Sequence, residues 1–221
     1  MRRHPGPGVP PHSVNSTRRP LVLASASPRR HELLRALGLS FDVRPADVDE
    51  RSAERDPVRL AEGLALLKAR AVAAEAGQAV IGADTVVVLD GDVLGKPADP
   101  TEATAMLLAL RGRSHQVVTG VAVVAERTVV GHARVAVTMR GYSDEEVARY
   151  VESGRPFDKA GAYAIQDADF APVERYEGCE CAVIGLPLWT LRRLLRLAAA
   201  IDAAEPSYPR CGVCPLRGAP A

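Results

Sequence analysis

The chain has 221 residues, 47% of them hydrophobic and 25% charged, and its formal net charge is +1 at pH 7. The hydrophobic and charged fractions are those of an ordinary globular protein. The near-neutral net charge argues against a nucleic-acid partner, and the 4% aromatic content argues against stacking platforms for single strands. No apolar run reaches the roughly 18 residues that a membrane-spanning helix requires, so we expect no membrane partner.

The two ends of the chain differ in composition from its middle. The first 20 residues hold five prolines and no apolar segment, which is not the pattern of a signal peptide. We expect residues 1–19 to be a disordered extension, residues 20–201 to form one domain, and residues 202–221 to be a flexible tail. We accordingly expect the protein to be located in the cytoplasm.

Four cysteines lie toward the C-terminal end, as a Cys-x-Cys pair and a later Cys-x-x-Cys pair: Cys179, Cys181, Cys211 and Cys214. One interpretation is a zinc or redox site. The combined spacing matches common zinc patterns poorly, so the default expectation is free thiols in a reducing compartment.

Hydrophobic periodicity predicts strands and helices in alternation along the middle of the chain. The predicted helices cover 28–37, 56–77, 99–112, 143–154 and 188–200. The predicted strands cover 20–24, the start of 41–50, 79–89, 92–94, 116–126, 128–140, a segment ending at Gln166, and 181–187. Asp56 is the expected cap of the second helix, and Asp99 with Glu102 and Ser143 with Glu146 form expected capping boxes. The alternation predicts an α/β fold with a mixed, twisted sheet and flanking helices.

The first predicted helix begins in an unusual way. Ser27 and Pro28 look like an N-cap and a first-turn proline, but Arg29 and Arg30 follow where acids are usual. Free amides, the positive end of the helix dipole and two guanidinium groups together favour a bound anion. The alternative is that both arginines pair with nearby acids at the surface.

Other polar residues interrupt apolar patterns or occupy loops. Asp84 lies inside the predicted strand 79–89, where a carboxylate is costly unless it is paired or metal-bound, although a turn at the sheet end is an alternative. Lys68 interrupts the apolar face of its helix, which a snorkelling side chain would also explain. Lys96 lies in a loop where its charge is free to reach a ligand, and the Gln166 amide is able to read a base edge.

Eight segments, taken in order and spacing, resemble the Maf-like nucleotide pyrophosphatase family over residues 20–198. They are LASASPRRHELL at 23–34, DE at 49–50, KA at 68–69, GADTVV at 82–87, GKP at 95–97, HQVVTG at 115–120, DKAGAYAIQ at 158–166 and VIGLPL at 183–188. The resemblance implies an elongated fold with two lobes around a deep cleft, related to the inosine-triphosphate pyrophosphatases.

The resemblance also implies an activity. Members hydrolyse a nucleoside triphosphate to the monophosphate and pyrophosphate with a divalent cation, here Mg²⁺ with Mn²⁺ or Co²⁺ as alternatives, and remove noncanonical or excess nucleotides. The branch that prefers dTTP and UTP carries the residues that stand here as Arg29, Thr85 and Gln166. A branch acting on 7-methyl-GTP would have Trp in place of Arg29 and Glu in place of Gln166.

Roles follow from the resemblance residue by residue. Asp84 is the expected general base, and Glu50 with Asp84 would hold the cation. The expected phosphate-binding residues are Ser25, Ser27, Arg30, Lys68 and Lys96, with Lys159 as a further candidate. A homodimer is a family-level expectation.

One departure and two alternatives remain open at the level of sequence. Cys179 stands where the family often has a serine. A pyrophosphatase for other modified nucleotides, or a nucleotide-binding regulator of cell division with little catalysis, would each fit parts of the pattern.

Overall fold

The computed structural model describes residues 19–72 and 77–218. In this part of the chain the helices are α1 (Pro28–Arg35), α2 (Pro57–Val72), α3 (Pro100–Leu110), α4 (Asp144–Glu152), α5 (Glu180–Ile184) and α6 (Leu188–Ala199). The strands are β1 (Leu21–Leu23), β2 (Asp42–Val43), β3 (Ala79–Leu89), β4 (Asp92–Leu94), β5 (Ser114–Val124), β6 (Thr128–Met139) and β7 (Val173–Glu177).

All seven strands belong to one mixed sheet, in the order β2-β1-β3-β5-β6-β7, with β4 paired to β3. Strand β1 runs parallel to both β2 and β3, and every other pairing is antiparallel. The β3–β5 register places Asp84 opposite Gly120 and Thr85 opposite Thr119. The mixed sheet with flanking helices confirms the predicted fold class.

Helices cover both faces of the sheet, which explains why strand β3 is buried almost throughout. Alternate residues of a strand point to opposite faces. Val22 and Val80 pack with Ala65 of α2 on one face, whereas Leu23 and Ile81 join the larger core on the other.

Two glycines let helix α2 lie unusually close to the sheet. A Cβ added at Gly82 would lie 2.0 Å from the Ala65 carbonyl oxygen, and one added at Gly120 would lie 2.4 Å from the Ala61 carbonyl. No side chain fits at either position, so the backbones of α2, β3 and β5 approach directly. This approach brings Lys68 of α2 to the middle of strand β3.

Capping and turn residues in the sequence correctly predicted where most of the helices and strands begin and end. The Asp56 carboxylate accepts hydrogen bonds from the amides of Val58 and Arg59 at the start of α2. The Asp90–Gly91 turn joins β3 to β4, with both residues at positive φ. The predicted end of α2 at Gly77 cannot be compared, because residues 73–76 lie outside the described residues, as does the predicted extension up to residue 18.

Three predicted features were wrong. Residues 181–187 form no strand; α5 lies there, and it ends at Gly185, whose φ of 124° only glycine adopts readily. No strand leads to Gln166, because Gly161 at φ 68° packs against Val87 within a run of short 3₁₀ turns. The α3 capping box is only half formed, since Glu102 accepts from the Ala98 amide.

Residues of the C-terminal segment lie against the helices. Ala203 and Cys211 are buried, and the Trp189 indole donates to the Cys211 carbonyl at 3.0 Å. The Ser207 amide donates to the Ala36 carbonyl at 2.9 Å. The division of the chain into extension, domain and flexible tail stays a prediction; the structure adds these contacts to it.

Replacing Gly120 with alanine should lower stability, because the new methyl group meets helix backbone rather than a movable side chain. We expect a loss of about 1–3 kcal/mol in the free energy of unfolding, the usual cost of overpacking. Urea denaturation measures it, with Gly63→Ala as the control, because Gly63 lies on the exposed side of α2 with nothing within 4 Å of an added Cβ. An unchanged midpoint in Gly120→Ala would contradict the close approach.

Candidate active site

A cavity of about 720 Å³ opens between the start of α1, the middle of α2 and β3, and the segment 158–166. It is lined by all the site residues predicted from the sequence except one: Ser27, Arg29, Arg30, Glu50, Lys68, Asp84, Thr85, Lys96, Lys159 and Gln166. The exception is Ser25, which is buried behind Arg30.

A buried lysine joins two carboxylates on the cavity wall. The Lys68 ammonium lies 2.6 Å from Asp84 Oδ1 and 2.8 Å from Glu50 Oε2. Lys68 and Asp84 are buried, whereas the Glu50 side chain is 47% exposed. Lys68 therefore does not snorkel to solvent as the alternative interpretation had it. The carboxylates of Glu50 and Asp84 therefore share one positive charge, the Lys68 ammonium.

Burial sets the electrostatics of this cluster. Removal from water raises the pKa of Asp84 above its usual value, and the neighbouring charges of Lys68 and Arg30 oppose that rise. A buried ion pair of this kind adds little net stability, but loss of one partner would strand the other charge. The arrangement is therefore better suited to a function than to fold stability.

Arg30 is fixed on the cavity floor by neutral acceptors. Its guanidinium donates to the Gly185 carbonyl at 2.9 Å, to Thr85 Oγ1 at 3.2 Å and to Ser25 Oγ at 3.3 Å. Burial lowers its pKa from the usual arginine value. The result is a positioned cation whose hydrogen-bond partners carry no formal charge.

The Thr85 hydroxyl belongs to a directed chain of hydrogen bonds. Thr119 Oγ1 donates to the Ala182 carbonyl at 2.7 Å, so Thr119 accepts from Thr85 across the 2.9 Å that separates their oxygens. Thr85 in turn accepts from Arg30. Its single proton is therefore already used, and Thr85 orients Arg30 in this arrangement.

The second arginine has a different environment. Arg29 Nη1 pairs with Asp158 Oδ2 at 2.9 Å, and the opposite oxygen of Asp158 contacts Lys159. Gln166 lies exposed at the cavity edge, where its amide donates to Tyr208 Oη at 3.3 Å. Lys96 is also exposed and, within the described part of the chain, makes no hydrogen bond or ion pair.

The start of α1 offers backbone donors to this space. Ser27 is the N-cap residue, but its side chain makes no capping hydrogen bond, and the first turn contains no acid. The local pattern that favoured an anion at "SPRR" is therefore present in the structure.

Sequence reasoning missed a buried histidine–tyrosine pair behind the cavity. Tyr163 lines the cavity, and its hydroxyl lies 2.7 Å from His115 Nε2. Burial lowers the pKa of His115 to about 4. Within the described ranges, His115 Nδ1 has no hydrogen-bond partner. The pair therefore holds the segment that leads to Gln166 at the cost of an unsatisfied ring nitrogen. Both residues lie in the quoted motifs, but nothing local indicates that they meet.

The fold and this cavity define a class: an α/β protein with a cleft lined by both basic side chains and carboxylates. The Maf-like protein family model matches residues 20–198. The chain therefore belongs to the Maf-like family.

Curated relatives match this chain over most of their own length. The chain is 50% identical over 204 residues to a dTTP/UTP pyrophosphatase of Thermomicrobium roseum, covering 89% of this chain and 93% of that protein. It is 52% identical over 171 residues to the dTTP/UTP pyrophosphatase of Symbiobacterium thermophilum, covering 76% and 88%.

Among solved structures, a dITP/XTP pyrophosphatase of Mycobacterium abscessus matches with a TM-score of 0.37 and 21% identity, over 54% of this chain and 73% of that one. A HAM1 protein of Coxiella burnetii matches with a TM-score of 0.39 and 20% identity, over 54% and 72%. Both TM-scores are low, so the fold assignment rests on the sheet described above. Among the described residues, we find no helix whose length and hydropathy would let it span a bilayer.

His115 should make stability depend on pH in acid. The folded protein keeps the ring neutral down to about pH 4, whereas the unfolded chain protonates it near 6.5. Its contribution is therefore fully present above about pH 6.5 and lost as pH falls toward 4, by up to about 3 kcal/mol. Urea unfolding of the wild type and His115→Gln between pH 7 and pH 4 should give a shallower fall for the variant. Parallel curves would contradict this.

Proposed function

We propose that this protein is a nucleoside triphosphate pyrophosphatase that hydrolyses dTTP and UTP to the monophosphate and pyrophosphate. The observation that carries the proposal is the convergence of Asp84, Glu50 and Lys68 beside Arg30 in one cavity. The names of the curated relatives support the same substrates. Location in the cytoplasm and a homodimeric assembly remain predictions.

Charge neutralisation is the first requirement, because a triphosphate is strongly anionic and resists attack by an electron-rich oxygen. Arg30 and the free amides at the start of α1 would hold phosphate oxygens from the cavity floor. Lys96 is exposed and free to reach them from the other side. These groups also stabilise the charge that moves onto pyrophosphate as it leaves.

The donor set fits the divalent cation that the family resemblance implies. Two hard carboxylates, of Glu50 and Asp84, already converge on one cation, the Lys68 ammonium. Mg²⁺ is commonly held by one or two carboxylates, with water and substrate phosphates completing its shell. Held by these two carboxylates beside Lys68, the cation would supply charge neutralisation and acidify a water molecule.

Asp84 is the proposed general base. Its Oδ1 is held by Lys68, which leaves Oδ2 to accept a proton from the water that attacks the α-phosphorus. The new bond forms from water oxygen to phosphorus, the bond to the bridging oxygen breaks, and pyrophosphate departs with the electron pair. Lys68 favours the ionised carboxylate that this role requires, against the effect of burial.

Substrate choice would fall to the cavity edge. Gln166 has both a donor and an acceptor, which matches the carbonyl and N–H edge of a pyrimidine. Arg29 is held near that edge by Asp158. Thr85 would contribute indirectly, by orienting Arg30.

The test of the function is pyrophosphate release from canonical and modified nucleoside triphosphates, including 7-methyl-GTP, with and without Mg²⁺, Mn²⁺ or Co²⁺. Preferential release from dTTP and UTP is the expected result. Preference for 7-methyl-GTP would replace the substrate assignment, and release from none would favour a nucleotide-binding regulator.

Asp84→Asn should keep the fold and lower kcat for dTTP at least about a hundredfold, the usual scale for a general base. Thermal unfolding checks the fold, and Asp202→Asn is the control because that side chain is 81% exposed. Full activity in Asp84→Asn would remove Asp84 from the mechanism.

Arg29→Trp combined with Gln166→Glu should raise KM or lower kcat for dTTP while leaving the melting temperature nearly unchanged. Both side chains lie toward the edge of the cavity rather than in the core. The comparison is kcat/KM for dTTP, UTP and 7-methyl-GTP. Unchanged dTTP kinetics would show that these two residues do not select the base.

A further inference from the structure

All four cysteines of the chain meet at one place in the fold, away from the cavity lining. Cys179 is the N-cap residue of α5, and Cys181 lies in its first turn. Cys211 begins a short 3₁₀ turn in the C-terminal segment, and Cys214 follows directly after it. All four are buried and none is in a disulfide.

The sulfur atoms form a continuous series of contacts. Cys181 Sγ lies 3.3 Å from Cys211 Sγ. The Cys179 thiol interacts with the thiols of both Cys181 and Cys214. The series therefore runs Cys211–Cys181–Cys179–Cys214 and joins two segments that are distant in sequence.

Backbone hydrogen bonds hold each pair of cysteines in a short turn. The Ala182 amide donates to the Cys179 carbonyl at 3.0 Å, and the Cys214 amide donates to the Cys211 carbonyl at 3.4 Å. Four buried thiols that form no disulfide are a ligand set for one soft cation, which would bind as the thiols release their protons.

We propose that Cys179, Cys181, Cys211 and Cys214 form a structural site for a thiophilic divalent ion, Zn²⁺. Four thiolates are a common ligand set for structural zinc, at about 2.3 Å from the metal. The proposal is independent of the nucleotide pyrophosphatase activity, because none of the four lines the cavity.

Binding requires a local adjustment. As they stand, no three His, Cys, Asp or Glu side chains in the described residues are grouped to hold a metal. The four thiols form an open series, whereas tetrahedral coordination places all six sulfur pairs about 3.8 Å apart. Rotation of the cysteine side chains, with a small shift of the 211–214 turn toward α5, would close the series around the ion.

The site would join the C-terminal segment to the wall of the cavity. Helix α5 follows Cys179, and its Ala182 carbonyl accepts from Thr119. The Gly185 carbonyl at its end accepts from Arg30. A metal at the start of α5 would thus hold the helix whose far end orients Arg30. It also gives a reason for Cys179 at the position where the family resemblance leads us to expect a serine.

The experiment is metal analysis of the full chain, purified without a histidine tag or chelator. We expect about one zinc per chain by mass spectrometry of the metal, and tetrahedral cobalt–thiolate absorption after exchange with Co²⁺. Cys214→Ser should lose most of the zinc. Val213→Ser is the matched control in the same turn, because Val213 is 83% exposed, and it should keep the metal.

The outcomes separate the alternatives. Absence of zinc after refolding with excess Zn²⁺ overturns the proposal, and so does a protein two hydrogens lighter, which would indicate a disulfide. Equal loss in Val213→Ser and Cys214→Ser would also overturn it. If Cys214→Ser fails to fold, the wild-type cobalt spectrum and thiol titration with and without chelator still decide the question. Absence of zinc would not bear on the proposed dTTP hydrolysis, which the pyrophosphate-release assay decides separately.

Discussion

The close approach of helix α2 to strands β3 and β5 is the constraint on which the cavity depends. It exists because Gly82 and Gly120 have no side chain where the Ala65 and Ala61 backbones lie. Only at this separation does Lys68 reach Asp84 in the middle of the sheet. A carboxylate inside a buried strand is costly alone, and the same contact that makes the helix fit also makes the carboxylate tolerable.

The pairing of β3 with β5 also connects this wall of the cavity to the opposite one. Because β3 and β5 pair with Thr85 opposite Thr119, the two hydroxyls form one hydrogen-bonded link across the strands. That link continues to the Ala182 carbonyl on one side and to Arg30 on the other. The register of the sheet therefore helps to position the Arg30 guanidinium, as a preorganised site requires.

Much of this was predictable from local sequence. The Asp56 cap, the break between the strands 79–89 and 92–94 and the apolar period of β3, β5 and β6 each depend on neighbours along the chain, and each was correctly predicted. The anion-favouring start of α1 was also readable from Ser27, Pro28 and the two arginines. Asp84 was predicted to be a site residue because burying a carboxylate in an apolar strand costs free energy. That cost follows from the sequence pattern even when the partner of the carboxylate is unknown.

The parts that could not be predicted depend on contacts distant in sequence. Helix α5 has only five residues, too few for a helical period to be distinguished from an apolar strand. Its identity depends on Cys179 at its start and Gly185 at its end. Likewise, the commitment of the Thr85 hydroxyl to Thr119 follows from strand register, and the pairing of His115 with Tyr163 from the path of a loop.

The four cysteines show the same limit most clearly. Judged by spacing, a Cys-x-Cys and a distant Cys-x-x-Cys match no common metal pattern, because spacing rules describe ligands supplied by familiar turns. Here the start of a helix replaces one of those turns, with Cys179 as the N-cap residue of α5 and Cys181 in its first turn. Spatial convergence, rather than spacing, is therefore the stronger argument for a shared ligand. It also links the C-terminal segment to α5, and through the Gly185 carbonyl to Arg30.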